Sequence, residues 1–69
     1  MKYVVIYERG AENWGAFAPD LPGYAATAES LEALRELVKE GLPFHLEGLR
    51  LAGQPVPEPT AVVDAVETA

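Results

Sequence analysis

One histidine, four aliphatic hydroxyls and two aspartates are the groups in this 69-residue sequence with the types that catalysis most often uses. His45 is the single side chain that titrates near neutrality by default. No base-orienting or nucleophilic neighbour accompanies it in sequence, and it falls between Leu42 and Leu49 on an apolar stripe. That placement reads as a packing histidine. An acid–base role beside a glutamate would require an open pocket with a carboxylate against the ring. Of Thr27, Ser30, Thr60 and Thr68, Ser30 is explained by helix capping, the commonest use of serine at such a position. Two-metal chemistry needs three or four carboxylates in one pocket. Asp20 and Asp64 lie far apart, in a turn and in the tail, and four of the nine glutamates follow one solvent face of a helix. With no cysteine and one histidine, thiolate and His-cluster metal sites are excluded. Gly10 and Gly15 are followed by no phosphate-loop pattern. Trp14 and Phe17 are aromatic enough to stack on bases, but they alternate along a strand in an acidic chain, which points to core or interface packing. No catalytic, metal or cofactor residue is expected, and no enzyme activity.

These side chains must be held by a small set of elements. Tyr3 to Tyr7, YVVIY, is β-branched or aromatic throughout and predicts a strand, with Tyr3, Val5 and Tyr7 on one face and Val4 and Ile6 on the other. Residues 9–13 predict a polar hairpin turn, Trp14 to Ala18 a second strand, and Tyr24 to Ala28 a third. Between the last two, Pro19, Asp20, Leu21, Pro22 and Gly23 predict a turn, because two prolines and a glycine cannot continue a ladder. Ser30 caps a helix from Leu31 to about Leu51, whose buried stripe is Leu31, Leu34, Val38, Leu42, His45 and Leu49. Its outer face carries Glu32, Glu36, Glu40 and Glu47, with Glu32–Arg35 and Glu36–Lys39 expected to pair. Gly41 and Pro43 predict a kink near Glu40 or two helices in line. Gly53 ends the helix, residues 54–60 run extended, and residues 61–69 are a tail, a helical turn or a short fourth edge strand.

The resulting architecture is α+β: two layers, a three-stranded antiparallel sheet in β-β-β-α order with one helix on one face. One helix covers one face. The other face keeps either Val4, Ile6 and Phe17 or Tyr3, Val5, Tyr7 and Trp14, and its apolar surface argues for a homodimer, a higher homo-oligomer or another partner. A chain this short also needs tight packing, a staple or a partner subunit, and cysteine staples are absent. Five Lys and Arg against eleven Asp and Glu give a net charge of −6, which disfavours nucleic acid and anionic membranes, allows a basic protein partner and would speed such an encounter. No apolar run reaches the length of a membrane span, and the first residues lack the pattern of a secretory signal, so a cytoplasmic location is expected.

The ordered series YVVIYE, AFAPDLPG, YAATAES, FHLEGL and GQPVPEP resembles the HicB-like family over about Tyr3 to Pro59. The resemblance implies a domain over residues 1–60, of a degraded ribonuclease-H-like sheet-and-helix fold without catalytic carboxylates. It implies an antitoxin that binds and masks a small toxin, HicA, which cleaves mRNA with a histidine. It also implies, in many members, a C-terminal DNA-binding domain, for which the residues after Pro59 are too few. Pro19 to Gly23 matches the turn the family shares. There Pro22-Gly23 would fix the backbone and Asp20 would accept N–H groups of the turn, with direct partner contact as the alternative. The sheet-face residues Tyr3, Val4, Val5, Ile6, Trp14 and Phe17 and the helix glutamates Glu36 and Glu40 are the candidate contact surfaces.

Overall fold

The structure, a computed structural model, describes all residues 1–69. Strands β1 (Ile6–Arg9), β2 (Trp14–Phe17) and β3 (Ala25–Ala28) form an antiparallel sheet in the order β1-β2-β3, followed by helix α1 (Leu31–Leu51). This is the two-layer α+β fold the sequence predicts.

The first strand lies further along the chain than the YVVIY pattern predicts. Its ladder pairs Ile6 with Phe17, Tyr7 with Ala16, Glu8 with Gly15 and Arg9 with Trp14. The hairpin loop fixes this register, with the Gly10 N–H donating to the Asn13 carbonyl at 2.7 Å. The ladder stops at Ile6 because β2 stops at Phe17, two residues before Pro19, which has no N–H to donate and leaves the sheet. Tyr3 to Val5 therefore continue beyond the ladder. The second hairpin pairs Trp14 with Ala28 and Ala16 with Ala26.

The register also settles which face the helix covers. Ala16, Leu34 and Val38 form the buried cluster, and Val5, Tyr7, Trp14, Ala26, Ala28 and Leu42 pack around it. The helix thus lies on the Tyr7 and Trp14 side. Ala18 and Leu21 are buried beside the turn that follows β2.

Helix α1 is set by its ends. Ser30 is extended (φ −135°, ψ 158°), and its Oγ accepts the Ala33 N–H at 3.1 Å. At the other end Gly53 takes φ +73°, its N–H donates to Arg50, and the Gln54 N–H reaches back to Leu49, the two bonds of a Schellman stop. Between them the helix is continuous, so the two-helix option is not adopted, and Pro43 sits inside it on the exposed side. Gly41 has a packing reason. A Cβ there would sit 3.1 Å from the Tyr24 hydroxyl oxygen, so the glycine makes room for Tyr24.

The expected helix pairs Glu32–Arg35 and Glu36–Lys39 are not formed. The one ion pair joins Glu47 to Arg50, and Arg35 instead places its guanidinium 5.8 Å from the centre of the Tyr7 ring. A cation drawn over an aromatic face competes directly with a solvated carboxylate for the same side chain. The fourth edge strand is also absent: residues 52–69 carry no regular element. No helix is long and apolar enough to cross a membrane.

Candidate partner-binding surfaces

The turn Pro19–Gly23 is built from two overlapping bends. The Leu21 N–H donates to the Ala18 carbonyl at 3.0 Å, and the Tyr24 N–H donates to the Leu21 carbonyl at 3.1 Å. In the second bend Pro22 occupies the position that favours its fixed φ, and Gly23, at φ +89°, occupies the one that requires a left-handed residue. Leu21 points inward and is 1% exposed.

Asp20 departs from expectation. It accepts backbone N–H groups, but those of the tail rather than of its own turn. Its carboxylate takes the Thr60 N–H at 2.9 Å, the Thr60 hydroxyl at 2.9 Å and the Ala61 N–H at 2.8 Å. The hydrogen bond from Ala61, opposed by desolvation and helped by the bonds from Thr60, holds this carboxyl below its ordinary value of 3.8. A second tie runs from the Tyr3 hydroxyl to the Pro57 carbonyl. The turn and the start of the chain thus pin the extended proline segment at two points.

The sheet face turned away from the helix holds Ile6 and Phe17, cross-strand partners that are 36% and 40% exposed, with Ala25 beside them. Of the expected contact residues, Ile6 and Phe17 share this open face. Val5 and Trp14 belong to the covered side, while Tyr3 is tied to Pro57 and Val4 is half-buried.

Helix α1 carries a second apolar line that the stripe analysis does not contain. Leu37, Phe44 and Leu51 recur every seven residues and are 47%, 79% and 75% exposed. Seven residues are two helical turns less about 20°, so the three lie in one row. That row sits beside the stripe formed by Leu34 and Val38, not within it. Gly48 lies in the same row with no atom within 4 Å of where its Cβ would be, which leaves a furrow between Phe44 and Leu51. Glu36, Glu40 and Glu47 border the row on its outer side, all exposed. Glu47 is held by Arg50, whose hydrogen bond lowers the Glu47 carboxyl below its ordinary value. Glu36 and Glu40 have no cation against them. The seven-residue spacing was readable in the sequence; a search for one buried face passes over it because a second stripe adds nothing to the core.

On the inner side of the row a shallow groove is lined by Tyr24, Gly41, Phe44, His45, Gly48, Leu49, Ala52 and Gln54. His45 is half-buried there, its ring centre 5.4 Å from that of Tyr24 at 56°. Burial, and then the nearby Tyr7, push the Tyr24 hydroxyl above its ordinary value of 10. The groove is open, yet no carboxylate lines it, so His45 meets an aromatic ring instead of the acid partner that an acid–base role requires. No group of three or more His, Asp or Glu side chains is placed to hold a metal ion.

No curated protein and no solved structure matches the chain. A family model described as the HicB-like antitoxin of bacterial toxin–antitoxin systems matches residues 3–69, from the first strand through the pinned proline segment to the end of the tail. With the match spanning the sheet, the turn and the helix alike, the chain belongs to the HicB-like antitoxin family.

Proposed function

We propose that this antitoxin binds and neutralises a small, basic, mRNA-cleaving toxin of the HicA-like kind in the cytoplasm, and that it does so without chemistry of its own. The observation that carries the reading is the family match over residues 3–69. The surface is compatible with it. An RNA-cleaving protein presents cations to phosphates, and a domain of charge −6 with an exposed glutamate row can cover them and speed the encounter. In this reading residues 1–60 are the binding unit and 61–69 a tail, while the Pro19–Gly23 turn is structural. Co-expression with a small basic HicA-like toxin from a neighbouring reading frame tests it. The toxin's effect on growth should disappear when the antitoxin is supplied, and an unchanged effect would sink the reading.

A second reading rests on the open sheet face. Ile6 and Phe17 form an apolar pair left 36% and 40% exposed, as expected of a module that self-associates. A homodimer through this face is compatible with toxin binding. Without a toxin it would leave an orphan structural module. Sedimentation of the purified chain at tens of micromolar distinguishes a dimer from a monomer, and a monomer removes the argument.

A further inference from the structure

We infer that the row Leu37, Phe44 and Leu51, with the furrow at Gly48 and the bordering Glu36 and Glu40, is the docking line for a basic amphipathic helix of the partner. This rests on the toxin-binding reading and names the surface it would use.

Three observations select the occupant. The exposed apolar side chains lie in a single file over fifteen residues, about 21 Å of helix, which is the footprint of a helix laid alongside and not of a flat sheet. Gly48 supplies a hole in that file, with nothing within 4 Å of its absent side chain, into which a partner side chain can seat. The outer border is acidic, and Glu36 and Glu40 are uncompensated, so the complementary helix carries Lys or Arg along one edge of its apolar face.

The same charges argue against a second copy of this chain. An antiparallel self-pair about the row sets each acidic border against its own symmetry mate, bringing Glu36, Glu40 and Glu47 of both copies to one side. A parallel self-pair sets the border against the Tyr24–His45 groove, whose lining contains no Lys or Arg. In the antiparallel arrangement the one cation near that border is Arg50, already held by Glu47, so six glutamates face two arginines. The opposite sheet face, with Ile6 and Phe17, carries no comparable run of like charge and remains free for self-association.

The test uses the full chain and, as probe, a small basic HicA-like protein encoded by a neighbouring reading frame of the source genome, made harmless by replacing its histidine with alanine. Binding is measured by calorimetry at low and moderate salt. Gly48→Leu places its Cβ in open space and extends the side chain into the furrow, and replacing a helical glycine offsets the added bulk, so the melting temperature should hold while binding weakens about 100-fold, the scale of a central contact. Phe44→Asp should weaken it as much. Glu36→Lys with Glu40→Lys should slow association and flatten its salt dependence. Phe17→Asp should leave binding within about threefold. If the probe binds the wild type but Gly48→Leu and Phe44→Asp bind it equally well, the docking line is wrong and the toxin reading stands. If the wild type does not bind the probe, the toxin reading fails. Sedimentation then closes the matter: a dimer that Phe44→Asp dissociates gives the row to a second copy, and a monomer leaves it without an occupant, and both results overturn the inference.

Discussion

Asp20 shows how far one side chain's role can lie from its local sequence. A carboxylate in a Pro-Asp-Leu-Pro-Gly turn has nearby N–H groups to accept, and that is what the residue types suggest. The fold gives it three donors from residues 60 and 61 instead, forty positions away. Nothing local encodes such a contact; it exists because the proline segment returns past the turn. Asp20→Ala should free the tail without disturbing the core. The expected result is faster amide exchange at Ala61, by about tenfold or more, with an unchanged helix signal in circular dichroism. The clasp also has a pH dependence of known sign. A carboxyl lowered in the folded state contributes stability above its unfolded value near 3.8, and loses it as pH falls through the lower folded value. The Thr60 and Ala61 amide shifts should therefore titrate below pH 3.8, and a midpoint above that value would contradict the geometry. Leu34 is a simpler case. It recurs on the apolar stripe and is 0% exposed, so Leu34→Ala should cost about 2–5 kcal/mol in urea unfolding.

Elements were legible where their signals are local. Helix α1 begins after Ser30 and stops before Gly53 because a cap and a left-handed residue are each written in one position. Ser30→Ala should therefore cost about 1 kcal/mol. Glycine substitutions separate two environments. Gly23→Ala forces an L residue to φ +89° and should destabilise by about 1 kcal/mol or more, whereas Gly48→Ala adds a methyl into open space in a helix and should stabilise by roughly 0.5–1 kcal/mol. Thermal denaturation of the two variants should move in opposite directions. Strand β1 was less legible. The YVVIY run marks a strand by composition, but its pairing is set by a loop on one side and by Pro19 just past the end of the partner strand, neither of which lies within it. The docking row on α1 was missed for a related reason. Its period is plain, yet sequence cannot tell an apolar residue that faces the sheet from one that faces water until the sheet is placed.

The whole chain exposes more surface than its mass requires. Its accessible area is 5477 Å², against roughly 4,200 Å² for a compact monomer of 7.4 kDa. Its radius of gyration is 13.5 Å, against about 11 Å for a compact chain of this length. The exposed tail, with Val62, Val63 and Val66 in solvent, the open sheet face and the helix row all contribute to the excess. A surplus of about 1,300 Å² is of the order one partner contributes to a stable interface. Self-association through the sheet face predicts that Ile6→Glu with Phe17→Glu yields a monomer in sedimentation while the circular dichroism of the fold persists. The same surplus is what an antitoxin needs in order to cover a toxin. The most direct measurement is therefore mRNA cleavage by a purified HicA-like protein from a neighbouring reading frame of the source genome, followed as the full chain is titrated in. Cleavage should fall in proportion to added antitoxin and stop at a fixed stoichiometric ratio. Undiminished cleavage in the presence of excess chain would contradict the account.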